Sequence, residues 1–291
     1  MCPPANLSAR HGGPTLERMM NDSIWFDTAD DADLTRLQAL GFRAGDKGTH
    51  TCRTMMLEEL TLLLAACPTD ASRTDFARAV VEQNCLGKRT LSTRRLTLQR
   101  LSELYALDPA VPLFRIFRRH WQADERGRPL LALLTALARD PLLRLTAALI
   151  MELKPGEEYR RLPLVDALRA GTGERLNEST VEKVVRNAAS TWTQAGHLAG
   201  RVRKIRQTVH PTPAVAAYAM LLGYAQGLRG RALLGSMWTH VLDTAADALI
   251  FQAMDAKRLG LLDLSQSGGV LAVTFARVLT GEERRLIHGT H

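Results

Sequence analysis

The chain has no apolar run suited to crossing a membrane. Its most apolar region, 129–153, is interrupted by Arg139, Asp140, Pro141 and Arg144, which suits two short buried helices better than a span. Residues 1–13 hold Pro, Gly and Ser but no apolar core of the kind a secretory signal requires. Cysteine is scarce: Cys2, Cys52, Cys67 and Cys85 lie far apart with no CxxC pair. That excludes a disulfide frame or zinc ribbon and fits the reduced thiols of a cytosolic protein. Gly-x-Ser-x-Gly, His-Glu-x-x-His and the dinucleotide fingerprint are all missing, and no cluster of Asp, Glu and Lys in the basic regions suggests a nuclease. Among the eight histidines His240 is read with an acid, Asp243, at a spacing one helix would bring together. Without a third ligand this reads as a surface or capping pair, not a metal site. His120 has no visible partner for base catalysis, and Cys85 reads as a buried thiol. The expectation is a soluble, cytoplasmic, non-catalytic protein with no metal and no cofactor.

What is present is charge of one sign. Lys and Arg number 38 against 30 Asp and Glu, giving a net charge of +8, and such an excess favours polyanionic partners. It is uneven. Ten basic residues face four acidic ones over 86–128, and eight face three over 169–206, while Asp27, Asp30, Asp31 and Asp33 gather near the N-terminus.

The most informative stretch is 177–206. Asn177 or Ser179 is placed to cap a helix, and Val181, Val185, Ala188 and Trp192 recur at helical spacing to form one apolar face. Lys183, Arg186, Asn187 and Ser190 fall largely opposite, where a DNA-reading helix needs donors: Arg bonds guanine bidentately and Asn does so for adenine. Gly196 then stops the helix. In the following ribbon Arg201, Arg203, Lys204 and Arg206 surround Val202 and Ile205, expected to anchor in the core while the cations lie along a phosphate backbone. Capped helix, glycine stop and basic ribbon form the pattern of a winged helix-turn-helix. The competing reading is a solvated amphipathic helix and basic hairpin with no ligand.

A second basic segment runs over 86–95. Its Gly87-Lys88 turn and a helix start rich in Ser and Thr would gather amides, hydroxyls and the cations Lys88, Arg89, Arg94 and Arg95 around a phosphate. It is not a Walker A loop, because position 82 is Glu82 where that motif needs glycine. A solvated interhelix turn is the equal alternative. Here the run Glu82-Gln83-Asn84-Cys85-Leu86-Gly87-Lys88-Arg89, continuing through Ser92-Thr93-Arg94-Arg95 to Leu101-Ser102-Glu103-Leu104-Tyr105, resembles the BrxA-like proteins of BREX phage-defence systems. The resemblance covers about residues 50–206. It implies a helical, winged-helix-containing DNA-binding protein without catalysis that works beside other defence proteins; the chain beyond Thr212 lies outside it.

The expected fold is mainly α: an N-terminal helical bundle followed by winged helix-turn-helix elements with short β-hairpins. Residues 1–50 are expected to be a flexible segment (disordered over 1–14, with a short helix over 28–40), 51–156 the bundle, and 157–291 the winged-helix-containing domain. The boundary falls at Lys154-Pro155-Gly156-Glu157-Glu158, polar and rich in helix breakers. Helices are predicted over 53–66, 72–85, from 91, 111–122, as a pair in 130–153, and over 162–170, 177–198, 213–228 and 243–257, with a hairpin at 261–275. Two function classes follow. One is a double-stranded DNA binder. The other is a scaffold whose basic surfaces hold acidic protein partners and no nucleic acid.

Overall fold

The computed structural model describes residues 31–45 and 47–288, leaving the disorder expected over 1–14 outside the described residues. The fold is mainly helical with two small antiparallel hairpins. Where residues 31–50 are described they do not form the expected flexible segment. α1 (Asp31–Leu40) buries Leu37 and Leu40, and a 3-10 turn, Thr49–Thr51, buries His50 completely.

Local signals set the helix starts that follow. α2 (Leu57–Ala66) begins later than predicted because Met56 stands at φ 54 and breaks the helical path before it. α3 (Arg73–Val81) starts at a capping box, with the Ser72 side chain accepting from the Asp75 amide and Asp75 accepting from the Ser72 amide. α4 (Leu91–Tyr105) is capped by Thr90, and α5 (Pro112–Ala123) and α6 (Arg128–Arg139) each carry proline in the first turn. The predicted pair in 130–153 is three helices: α6, α7 (Pro141–Arg144) and α8 (Ala147–Glu152). Then come α9 (Arg161–Thr172), α10 (Glu178–Gln194), α11 (Pro213–Ala225), α12 (Met237–His240), α13 (Ala246–Arg258) and α14 (Gly281–His288).

Two helices form the centre. α6 buries every residue from Leu130 to Ala138, and α11 every residue from Ala214 to Ala225. A helix apolar all round has no solvent face to offer, so it must be enclosed by others. α11 packs on α5, α6, α12 and α13. The resulting apolar cluster runs from Leu37 to Ile287 without a break at residue 156. Each fully buried Leu in it contributes about 1.5–3 kcal/mol.

Strands are few. β1 (Leu198–Ala199) pairs antiparallel with β2 (Ile205–Arg206), and β3 (Asp263–Ser267) with β4 (Val270–Thr274). The expected linker is a third rung on the first hairpin: Glu158 bridges Ile205, and the Gly156 and Tyr159 amides donate to the carbonyls of Arg206 and Lys204 at 2.9 and 2.8 Å.

Candidate nucleic-acid interface

The segment from 156 to 206 is ordered as an extended rung, α9, a short turn, α10 and the β1–β2 hairpin. α10 begins where Asn177 accepts from the Thr180 amide at 2.9 Å. It ends at Ala195, with Gly196 beyond at φ 91, a conformation glycine adopts without strain. Its apolar side is buried at Val181, Val184, Val185, Ala188 and Trp192. Its open side carries Ser179, Glu182, Lys183 and Arg186, all exposed. Ser190 is half-buried. Asn187 is occupied elsewhere: its Nδ2 donates to the His50 carbonyl at 2.8 Å, so the predicted adenine donor holds the 3-10 turn instead.

In the hairpin the four predicted phosphate contacts separate. Arg201 is exposed and forms no ion pair among the described residues. Arg203 is exposed and forked onto Glu158 at 3.0 and 2.7 Å, an arrangement that holds the Glu158 carboxyl below its usual range. Lys204 is half-buried, its Nζ donating to Thr193 Oγ1 at 2.8 Å, and burial draws its pKa down. Arg206 faces inward at 2 % exposure. It clamps Asp243 at 2.5 Å and donates from Nε to the Ile150 carbonyl at 3.1 Å. It is a structural ion pair, not a phosphate contact, because its charge is already met by a carboxylate inside the protein. Asp243, read from the sequence as the partner of His240, belongs to Arg206. Val202, expected in the core, stands 93 % exposed at the tip between Arg201 and Arg203.

Sequence reasoning missed two further cations here: Arg160 and Arg161, exposed at the start of α9 beside the rung, form no ion pair among the described residues. Their position could have been found only by recognising 156–159 as a strand, and its Pro and Gly masked that.

The 86–95 segment is not a cradle. Lys88 is paired with Glu59 at 3.0 Å. Arg94 donates to the carbonyls of Lys88 and Val81 at 3.1 and 3.2 Å, tying the turn to α3. The Thr90 and Thr93 hydroxyls bond each other, and the Thr90 hydroxyl accepts from the Thr93 amide as the helix cap. Arg89 and Arg95 remain exposed and unpaired among the described residues.

No protein-family model matches the chain, and neither does any curated protein.

Behind α10 lies a polar chain the sequence did not reveal. Asp140 Oδ2 accepts from His50 Nδ1 at 2.7 Å, and His50 Nε2 meets Thr191 Oγ1 at 2.8 Å. Thr191 Oγ1 also accepts from the Met55 amide at 2.8 Å, which leaves its own proton for the imidazole. Burial would raise the Asp140 carboxyl, but the His50 ring and the amides of Leu143 and His50 hold it below the usual range. The order is that of a nucleophile, a base and an orienting acid. Its residues are at most 1 % exposed, so no substrate reaches them. The network fastens α10 to the 3-10 turn and to the start of α7. Among the described residues no three His, Cys, Asp or Glu side chains gather to hold a metal ion, and no helix is long and apolar enough to cross a membrane.

Proposed function

We propose that this chain binds double-stranded DNA, presenting α9 and α10 as a helix-turn-helix and the β1–β2 hairpin as its wing. We further propose that it serves in a bacterial phage-defence system of the BREX type. The observation that carries the DNA reading is the hairpin tip: exposed Val202 between two exposed arginines, beside a helix whose open side offers Lys183 and Arg186. An apolar residue flanked by cations at the end of a narrow ribbon fits a DNA groove, where arginine meets the negative potential and the apolar group meets sugar and base edges. Arg160 and Arg161 add positive charge at the start of α9, in reach of the backbone on one side. Lys183 and Arg186 are the base-edge candidates, and Arg201, Arg203, Arg160 and Arg161 the phosphate contacts. The exposed Arg203–Glu158 pair does not oppose this, since an exposed ion pair exchanges easily for a phosphate. The defence role rests on the likeness of residues 82–105 to BrxA-like proteins.

Fluorescence anisotropy of a random duplex at about 50 and about 200 mM salt tests the DNA reading. Affinity should fall steeply with salt, and the log–log slope should shrink by about one for each phosphate-contacting arginine removed. Arg201→Ala/Arg203→Ala should weaken binding on all sequences. No binding at the lower salt would reject the reading and assign these surfaces to acidic protein partners.

A further inference from the structure

A cleft of about 630 Å³ opens between α3, α4 and the loop after α1, on residues that the hairpin and α10 do not share. Four arginines line it: Arg43 and Arg139, half-buried, and Arg73 and Arg95, exposed. Arg139 is held by carbonyls alone. Its Nε donates to Glu103 O at 3.1 Å, Nη2 to Ser102 O at 3.3 Å, and Nη1 to Gly41 O. Three of its five N–H groups are so used, two remain, and among the described residues no carboxylate neutralises the charge. Among the described residues the Arg43 side chain reaches only the Glu103 carbonyl, at 3.4 Å. Arg73 and Arg95 form no ion pair among the described residues.

The two acids in the lining do not balance this. Glu103 is spent on Arg100 at 2.8 Å and on Thr49 and Gln99 at 2.9 and 3.0 Å. Asp108 accepts from the Ala110 amide at 2.9 Å, and its single charge leaves the four guanidiniums in excess. Like charges gathered in a concave, partly desolvated space repel one another, and an anion relieves that. Burial and the neighbouring Arg43 pull the Arg139 pKa down to about 10, in keeping with an unmet positive charge. One wall is apolar, formed by half-buried Leu98 and Val111 over the buried Leu107.

We propose that this cleft binds a nucleoside di- or triphosphate, with its phosphates on Arg43 and Arg139 within and on Arg73 and Arg95 at the opening, and its nucleoside against Leu98 and Val111. Guanidinium forks match phosphate oxygens in pairs, so four of them suit more than one phosphate. The volume is that of a small-molecule site.

Isothermal titration of the full chain with ADP, ATP and pyrophosphate tests it. ADP and ATP should bind, pyrophosphate more weakly. Arg73→Ala/Arg95→Ala, both exposed and without structural bonds among the described residues, should weaken nucleotide binding at least about tenfold. Arg89→Ala, outside the cleft, should leave it unchanged. The proposal is overturned if neither nucleotide binds at millimolar concentration, or if the double variant binds as the parent does. Equal binding of pyrophosphate and ATP would remove the nucleoside from it. Loss of nucleotide binding in Arg201→Ala/Arg203→Ala alone would move the ligand to the hairpin.

Discussion

Two histidines are buried as neutral rings with half of their hydrogen-bonding capacity unused. Among the described residues His120 donates from Nδ1 to the Ile116 carbonyl at 2.9 Å, packs on Tyr218, and has no partner at Nε2, while His197 donates from Nε2 to the Val241 carbonyl at 2.7 Å and has none at Nδ1. Burial pushes each down to about 4. An imidazole whose folded value lies below its unfolded one binds more protons when unfolded. Its contribution is therefore intact above about pH 6.5 and is lost as the pH falls towards 4, by up to about 3 kcal/mol each. Urea midpoints should drop across that window, and His120→Phe should flatten the drop. Thr191→Val should cost about 1–3 kcal/mol in the same assay, since it strands the Met55 amide and His50 Nε2. Charge read from sequence alone misleads at the same scale. Arg206, Lys88 and Arg94 count as cations in any tally, yet each is spent on Asp243, Glu59 or main-chain carbonyls brought from elsewhere in the chain. A counter-charge 29 or 37 positions away leaves no trace in local pattern.

Among the elements, the β1–β2 hairpin depends on one backbone conformation. Gly200 sits at φ 110, and a Cβ there would stand 2.0 Å from the Arg203 carbonyl oxygen. Gly200→Ala should destabilise the turn by more than about 1 kcal/mol and weaken duplex binding, read by anisotropy, without removing any cation. Arg206→Ala should behave differently. It leaves Asp243 charged and nearly buried and should cost about 3–5 kcal/mol in global stability, measured by denaturation, before any effect on DNA. Helix starts were legible because caps are local: Asn177, Ser72 and Thr90 each announce a helix within three residues. The rung at 156–159 was not, because its extended form comes from pairing with β2 and not from its own residues. The Val202 placement failed for a related reason. Alternation assigns a face only in a ribbon that continues, and this one turns at the residue in question.

For the molecule as a whole, two central helices and one continuous apolar cluster leave no seam at the predicted linker. The mainly helical character was legible from abundant Leu and Ala and from period alone. The cleft of four arginines was not, since Arg43, Arg73, Arg95 and Arg139 converge only once α3, α4 and α6 are packed together. Asn187, Thr191 and Trp192 each reach across the predicted boundary, to His50, to His50 and Met55, and to Thr146. Arg206 does so as well, through Ile150. Residues 157–291 expressed alone would expose the back of α10 and lose every one of those partners, so that fragment should be insoluble or molten, as judged by near-UV circular dichroism. The part of this chain proposed to face DNA is thus not a portable cassette: fusing or transplanting it means carrying the first half along, and if it does bind DNA, a lesion at His50, far from the proposed groove, should register in a genetic screen as a DNA-binding mutant.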